Sequence, residues 1–347
     1  MKNFDINKIT RENIKSMQPY SSARDEFKEF TQKMVFLDAN ENPFENGVNR
    51  YPDPQQRTVK KALSEIKRIN ENQILLGNGS DEVLDLIFRA FCEPNKDNII
   101  TLPPTYGMYS VLANLNAIEN REVILNDNFQ PNVDAILAQV DENTKIIFLC
   151  SPNNPTGNSF SDESIVTLLQ NFKGLVLLDE AYIDFSQKES WLIELSDYPN
   201  LIISQTLSKA YGMAGIRLGI LYASVEIITI LNKIKPPYNI NVLTQQKALE
   251  RLENYDLVVK QINDIKIFKL FLINELKKIN FIEKVFPTDG NFILIQVDNA
   301  TERYNQILEK GIVIRNRSSQ PLCKNCLRIT IGTESENIQL INVLQTL

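Results

Sequence analysis

Short apolar runs alternate with helix-patterned segments through the middle of the chain. Five runs are apolar on both faces, as is typical of strands buried in a parallel sheet: residues 73–76, 98–102, 145–150, 175–178 and 201–204. Apolar residues recur at helical spacing between these runs, over residues 81–91, 107–116 and 161–171. The alternation predicts an α/β architecture in which helices cover both faces of a mostly parallel sheet.

The pattern changes near Val242. A long helical stretch with one charged face runs to about Lys278, and a closing helix is predicted near residues 337–346. Three strand-like runs lie between these helices, at residues 292–297, 312–314 and 327–331. We therefore expect a large domain over residues 47–245 and a smaller α+β domain that combines residues 1–46 with residues 246–347.

Charge and composition narrow the class of protein. The chain has 37 basic and 43 acidic residues and a net charge of -6, so neither a nucleic acid nor a membrane surface is an expected partner. The first residues lack an apolar signal-peptide core, and the apolar runs are too short to span a bilayer, which predicts a cytoplasmic protein. Imidazole catalysis is excluded because the chain has no histidine. Cys323 and Cys326 are too few for a zinc site, so no metal is expected.

Two motifs form polar turns directly after predicted strands. Residues 76–82 end a strand in a glycine turn and begin a helix, with Ser80 as the predicted N-cap. The free N–H groups of such a helix start suit a phosphate, although simple capping, with Asp81 in the first turn, also explains the sequence. Residues 151–157 form an Asn-Pro turn, which either holds an amide side chain toward a cleft at the strand ends or is a plain loop turn.

Two further motifs carry a carboxylate and a lysine. Asp179 ends a fully apolar strand, where its charge requires a protonated pyridine nitrogen, a helix cap or a structural ion pair. Lys209 lies close in sequence to Thr206, Ser208 and Arg217. A lysine in an apolar cleft has a lowered pKa and forms an imine with an aldehyde. The two hydroxyls and the guanidinium suit a phosphate dianion, so this set predicts more than a surface lysine.

In this order, the four motifs resemble those of the fold-type I pyridoxal phosphate aminotransferases. The segments SPNNPTG (151–157), DEAY (179–182) and SKAYGMAGIR (208–217) carry a resemblance that extends from about Tyr20 to Gly332. The resemblance implies a large domain with a mostly parallel seven-stranded sheet and a smaller α+β domain. It also implies pyridoxal 5′-phosphate as cofactor and a homodimer with shared active sites.

The resemblance also implies roles for individual residues. Lys209 would hold the cofactor and shuttle a proton, and Asp179 would pair with the pyridine nitrogen. The ring would be contacted by Tyr106, Asn154 and Tyr182. The cofactor phosphate would be bound by Ser80, Asp81, Thr206, Ser208, Arg217 and, from the neighbouring subunit, Tyr51. Candidate substrate contacts are Tyr20, Asn40, Arg315 and Arg328. The alternative for Arg315 is a surface residue without a substrate contact. We expect Arg317 to be a surface residue of that kind.

The segments PPTYGMY (103–109) and CLRITIG (326–332) are similar to the branch of the family that acts on histidinol phosphate. The expected reaction is amino transfer between L-histidinol phosphate and 2-oxoglutarate in histidine biosynthesis. An aromatic or aspartate aminotransferase and a threonine-phosphate decarboxylase stay open as alternatives. A nucleotide-binding protein is disfavoured because the glycine turn at 77–79 matches neither G-x-G-x-x-G nor G-x-x-x-x-G-K-[ST]. A non-catalytic protein is disfavoured because Lys209 and Asp179 are both present.

Overall fold

Two β-sheets organise the computed structural model, which describes residues 4–20 and 34–347. The strands are β1 (Ile74–Asn78), β2 (Asn98–Thr101), β3 (Glu119–Glu122), β4 (Thr144–Cys150), β5 (Leu175–Asp179), β6 (Leu201–Thr206), β7 (Leu218–Tyr222), β8 (Ile282–Val285), β9 (Phe292–Val297), β10 (Arg315–Asn316) and β11 (Cys326–Thr330). The α-helices are α1 (Ile6–Ile9), α2 (Glu12–Ser16), α3 (Arg57–Lys67), α4 (Ser80–Phe91), α5 (Met108–Leu115), α6 (Val133–Ala138), α7 (Asp162–Asn171), α8 (Val225–Ile234), α9 (Val242–Glu253), α10 (Tyr255–Leu276), α11 (Ala300–Glu309) and α12 (Glu334–Leu344).

The larger sheet has seven strands in the order β1-β7-β6-β5-β4-β2-β3. All neighbouring strands are parallel except β7, which is antiparallel to both β1 and β6. The central strands β5 and β6 are buried along their whole length, because apolar clusters cover both faces of the sheet. The predicted α/β fold with a mostly parallel seven-stranded sheet is therefore confirmed.

The strand directions bring several chain segments to one edge of this sheet. Because β1 and β6 are both antiparallel to β7, β1 runs in the same direction as the central strands. The turn after β1 therefore reaches the edge at which β4, β5 and β6 end. Ligands of open α/β sheets bind at this carboxyl edge. The antiparallel strand β7 is not among the predicted strands, and neither is the polar edge strand β3.

The smaller sheet has four antiparallel strands in the order β10-β11-β9-β8 and packs with α10, α11 and α12 around its own apolar core. The strand predicted at residues 312–314 is wrong. Ile314 is buried in this core and Ile312 is packed against it, so their apolar character reflects core packing without strand pairing. Pairing begins one residue later, where Arg315 lies opposite Arg328. The long predicted helix is also divided, at Asn254, into α9 and α10.

The described part of the N-terminal segment packs on the large sheet's helices. The Arg11 backbone N–H donates to the Ala90 carbonyl at 3.0 Å, and the Arg11 side chain pairs with Glu93 at 3.1 Å. Ile14 is buried, and α2 packs against α8. These residues therefore contact the large domain, whereas the sequence grouped them with the small one. The domain boundary near residue 245 stays a prediction. Among the helices that the structure describes, none combines the length and apolarity needed to cross a bilayer.

Candidate active site

A cleft at the carboxyl edge of the large sheet gathers almost all of the residues predicted to contact a cofactor. Its walls are formed by Ser80, Asp81, Tyr106, Cys150, Asn154, Asp179, Ala181, Tyr182, Thr206, Ser208, Lys209, Ala214 and Arg217. Of the predicted cofactor residues, only Tyr51 is missing from this set. Segments that are far apart in the sequence thus meet at one place, because each follows a strand that ends at this edge.

One end of the cleft is the start of α4. Gly79, not the predicted Ser80, is the N-cap; its φ is 81°, and no side chain caps the helix. The first backbone N–H groups, at Ser80 and Asp81, therefore remain available at the positive end of the helix dipole. Glycine suits position 79, because residues with a side chain rarely adopt a φ of 81° and a Cβ there would also displace the Arg217 guanidinium.

Arg217 completes this end of the cleft. Its Nη2 lies 3.5 Å from Asp81 Oδ2, and both side chains are partly exposed, so the guanidinium remains accessible to an anion. Thr206 is buried at the end of β6, and its Oγ1 accepts a hydrogen bond from the Ser208 N–H at 3.1 Å. A helix N-terminus, a guanidinium and two hydroxyls form a donor set suited to a phosphate.

The deepest wall of the cleft carries Asp179. This carboxylate is buried at the end of β5, and it accepts hydrogen bonds from the Tyr109 hydroxyl at 2.6 Å and from the Ala181 N–H at 3.1 Å. Burial raises the pKa of Asp179, while the hydrogen bond from Tyr109 acts in the opposite direction. Within residues 4–20 and 34–347, no lysine or arginine forms an ion pair with Asp179. A buried acid without a cation fits a protonated pyridine nitrogen.

Lys209 follows β6 and points an exposed side chain into the cleft. Its Nζ lies 5.8 Å from the centroid of the Tyr182 ring. Partial desolvation of the amine inside the cleft lowers the pKa of Lys209, the positive charge of Arg328 lowers it further, and Asp179 opposes both effects. The lowered pKa favours the neutral amine, which is the nucleophilic form of a lysine.

Arg328 links the small domain to the cleft. Its Nη1 donates a hydrogen bond to Asn154 Oδ1, and Asn154 Nδ2 donates to the Tyr182 hydroxyl at 3.4 Å. Burial, reinforced by the charge of Arg317, lowers the pKa of Arg328 to about 10. Burial also raises the pKa of Tyr182, so this phenol remains a hydrogen-bond donor at neutral pH.

Three arginines of the β10–β11 region lie near one another. Arg315 is exposed and lies opposite Arg328 in the strand pair. Arg317 is partly buried, and its Nε is buried with no hydrogen-bond partner in the described segments, so the expectation of a plain surface residue is wrong. Within the described chain none of the three forms a salt bridge to an acidic side chain. This cationic group suits an anionic ligand.

The remaining predicted residues lie outside the cleft of their own chain. Tyr51 and Asn40 line a separate groove, in which the Tyr51 ring stacks on Tyr238 with centroids 4.5 Å apart. Tyr20 is 71% exposed. Residues 21–33, which follow Tyr20, lie outside the described residues.

Two residues of this region were not among the site residues predicted from the sequence. Cys150 is buried and also lines the cleft. Tyr109 contacts Asp179 directly. The sequence signal for Tyr109 was its position three residues after Tyr106; Tyr106 precedes α5, Tyr109 lies in its first turn, and their rings meet edge-on at 5.5 Å.

Comparison with known proteins agrees with this geometry. The family model for class I and II aminotransferases matches residues 22–344. The chain belongs to the class I and II aminotransferase family, whose members depend on pyridoxal phosphate. The predicted transaminase class and cofactor are therefore confirmed.

Particular relatives are similar over nearly their whole length. A histidinol-phosphate aminotransferase of Flavobacterium johnsoniae is 69% identical over 348 residues, which cover 100% of each chain. The solved histidinol-phosphate aminotransferase from Clostridium acetobutylicum has a TM-score of 0.80 at 26% identity and covers 86% of this chain and 90% of its own. An L-threonine-O-3-phosphate decarboxylase from Porphyromonas gingivalis has a TM-score of 0.73 at 23% identity, covering 86% and 90%, which shows a shared fold alone.

Proposed function

We propose that this aminotransferase transfers an amino group between L-histidinol phosphate and 2-oxoglutarate, and that it acts in the cytoplasm. The observation that carries the proposal is one cleft that joins a phosphate-suited end, a buried acid, a lysine amine and the guanidinium of Arg328. Curated relatives at 62–69% identity that bear the name of this activity support the choice of substrate.

The residues of the cleft fit pyridoxal phosphate. The phosphate would lie at the α4 N-terminus with Arg217, the pyridine nitrogen would meet Asp179, and the aldehyde would face Lys209. Tyr106 would stack on the ring, while Asn154 and Tyr182 would contact its phenolate oxygen. When bound, the cofactor supplies an electron-withdrawing ring that stabilises negative charge at the reacting carbon of the substrate.

The chain's own groups then perform the proton transfer. With no histidine in the chain, the Lys209 amine is the group in the cleft that takes the proton from the substrate α-carbon at its Nζ. Its lowered pKa favours the neutral, proton-accepting form. Asp179, as an anion, would hold a proton on the pyridine nitrogen, and the Tyr182 hydroxyl would donate a hydrogen bond to the phenolate oxygen of the cofactor.

The arginines account for the substrates. Histidinol phosphate carries a phosphate and glutamate carries two carboxylates, and the two substrates use the site in turn. Arg328 at the cleft edge and Arg315 opposite it would bind these anions through planar, bidentate guanidinium groups. Tyr20 and Asn40 are further candidate substrate contacts.

We also propose that the protein is a homodimer, which the positions of Tyr51 and its neighbours support. Val35, Leu37 and Phe44 are each at least 80% exposed, which is unusual for large apolar side chains and fits a surface covered by a second copy of this chain. Tyr51 lies outside the cleft of its own chain, so its hydroxyl would reach the cofactor phosphate of the partner.

Subunit complementation tests the shared site. Tyr51→Phe keeps the ring that stacks on Tyr238, and Lys209→Ala removes the amine. A mixed dimer contains one cleft in which Lys209 and Tyr51 are both intact, so mixing the two variants under exchange conditions should restore activity. Activity that stays at the sum of the separate variants would contradict the shared site.

The reaction itself is tested with purified enzyme and added cofactor. Amino transfer from histidinol phosphate to 2-oxoglutarate, followed as glutamate formation, should proceed with a higher kcat/KM than transfer from phenylalanine, tyrosine or aspartate. Release of carbon dioxide from phosphothreonine without amino transfer would replace the proposal with the decarboxylase alternative. A higher kcat/KM for an aromatic or acidic amino acid would replace it with the corresponding aminotransferase.

A further inference from the structure

Tyr109 is a fully buried phenol in the first turn of α5 that contacts the acid of the cleft. Its hydroxyl donates a hydrogen bond to Asp179 Oδ2 at 2.6 Å. The ring stacks on Phe148 with centroids 4.9 Å apart and meets Tyr106 edge-on at 5.5 Å. A phenylalanine would make both ring contacts equally well, so the hydroxyl has a purpose beyond core packing.

The two oxygens of Asp179 are held from different directions. Tyr109 donates to Oδ2, and the backbone N–H of Ala181 donates to Oδ1 at 3.1 Å. Donors on both oxygens fix the rotation of the carboxylate about its Cβ–Cγ bond. Hydrogen bonds to an ionised carboxylate also stabilise the anion against protonation, which opposes the effect of burial.

We propose that Tyr109 is a positioning residue that keeps Asp179 ionised and correctly oriented toward the pyridine nitrogen of the cofactor. The inference rests on the role proposed above for Asp179. Burial and the neighbouring Asp179 raise the pKa of Tyr109 well above its usual value, so the phenol remains a donor throughout the working pH range. The hydrogen bond therefore persists while the cofactor binds and leaves.

Several other ionisable groups also face Asp179. They come from α4, the turn before α5, the end of β4, the turn after β5 and the turn after β6, and are Asp81, Tyr106, Cys150, Tyr182 and Lys209. Asp81 disfavours ionisation of Asp179 by like charge, and Lys209 favours it when protonated. Removing the Tyr109 hydroxyl leaves all five groups in place, so a change in titration reports on Tyr109.

The test is the affinity of the apoenzyme for pyridoxal phosphate, measured from pH 5 to pH 9. Affinity should fall at acid pH as Asp179 becomes protonated. Tyr109→Phe removes a stabilising donor and so raises the pKa of Asp179. The fall in affinity at acid pH, here called the acid limb, should then begin about one pH unit higher, and affinity within this pH range should be about tenfold lower. Titration of the cofactor phosphate is common to all variants and cancels in the comparison.

Tyr222→Phe is the matched control. Tyr222 is also fully buried and lies in the core away from the cleft wall, and its hydroxyl has no hydrogen-bond partner among the residues that the structure describes. This variant should keep the wild-type acid limb. If it shifts the limb as much as Tyr109→Phe does, the effect is general loosening of the core and the proposal fails.

Asp179→Asn distinguishes the proposed role of Tyr109 from the proposed role of Asp179. Asparagine cannot ionise, so in that background Tyr109→Phe should leave the pH profile unchanged. An equal shift in both backgrounds would overturn the role of Tyr109. If Asp179→Asn alone leaves cofactor affinity and the acid limb unchanged, the proposed role of Asp179 is wrong. If Asp179→Asn abolishes the limb but Tyr109→Phe does not move it, only the inference about Tyr109 is wrong.

A second change covers the case in which Tyr109→Phe does not fold. Incorporation of 3-fluorotyrosine at position 109 keeps the ring and hydroxyl but makes the phenol a stronger donor. The acid limb should then move to lower pH, in the opposite direction to Tyr109→Phe. An unchanged or raised limb with folded 3-fluorotyrosine protein would overturn the proposal.

Discussion

The Arg328 guanidinium donates a hydrogen bond to Asn154 Oδ1 across 174 positions of the chain. Asn154 donates in turn to the Tyr182 hydroxyl. This contact joins β11 of the small sheet to the turn after β4 of the large one. An arginine proposed to bind substrate anions is thereby connected to two residues proposed to face the cofactor, so a substitution at Arg328 should affect both.

Arg328→Lys tests this connection. Lysine keeps the charge but loses the planar fork that can hold an anion and Asn154 together, and kcat/KM should fall roughly 10- to 100-fold for both histidinol phosphate and glutamate. Steady-state kinetics with each substrate measure the effect. Arg303→Lys, at a partly exposed pair with Asp298 in the same domain, is the control and should keep wild-type kinetics. A loss confined to one substrate would argue against a shared anion site.

Lys209→Ala tests the catalytic amine. This substitution leaves the backbone N–H groups at the start of α4 and the Arg217 guanidinium in place. The variant should therefore still bind pyridoxal phosphate non-covalently. Amino transfer should be lost, and borohydride should leave no cofactor attached to the chain, because the nucleophile is gone. Mass spectrometry and a transfer assay check both outcomes. Lys247→Ala, at an exposed pair with Glu250, should behave as wild type. Normal turnover by Lys209→Ala would mean that another amine is used.

Gly219→Ala tests the packing that supports the phosphate end. A Cβ at Gly219 would collide with the Gly79 backbone and the Ser80 nitrogen. The start of α4 must then shift, which should reduce stability by about 1–3 kcal/mol and weaken binding of pyridoxal phosphate. Thermal unfolding and cofactor titration measure the two effects. Gly107→Ala is the control, because a Cβ there meets no atom within 4 Å and the backbone φ is -66°. Unaltered cofactor affinity in Gly219→Ala would contradict this account.

Glu180 predicts a pH dependence of stability. Burial raises the pKa of Glu180 to about 6 from its ordinary value of 4.5, although Ser190, Trp191 and Gln205 donate hydrogen bonds to it. Between these values the folded state binds the proton more tightly than the unfolded chain, so stability rises as pH falls from about 6 to 4.5. The gain is about 2 kcal/mol.

Glu180→Gln should lack this dependence. Melting temperatures of the apoenzyme, measured from pH 4.5 to pH 7.5, should show the wild type gaining on the variant as the pH falls. Glu189→Gln replaces an exposed neighbouring acid and should follow the wild-type curve. A constant difference between wild type and Glu180→Gln across this range would show that Glu180 does not titrate there.

Several predictions from the sequence were wrong because a local pattern does not show which distant segments a residue contacts. The run Ile312–Ile314 is apolar because it packs on a core, and its pairing partner decides that the strand begins at Arg315. Ser80 has the chemistry of an N-cap, but the close approach of Arg217 and Gly219 places Gly79 there. Arg317 has a surface-like sequence context and is half-buried beside other arginines. In each case a contact with a distant segment decided the outcome.

The sequence by itself determined the parallel sheet and most of the cleft. Continuous apolar runs identify buried strands, and polar motifs directly after them must meet at one edge, because the carboxyl ends of parallel strands coincide. For this reason the sequence alone groups Asp179, Asn154 and Lys209 at one site. Only the tertiary structure decided which side chains act on those residues. The hydrogen bonds from Tyr109 to Asp179 and from Arg328 to Asn154 span 70 and 174 positions, and no local periodicity encodes contacts over such distances.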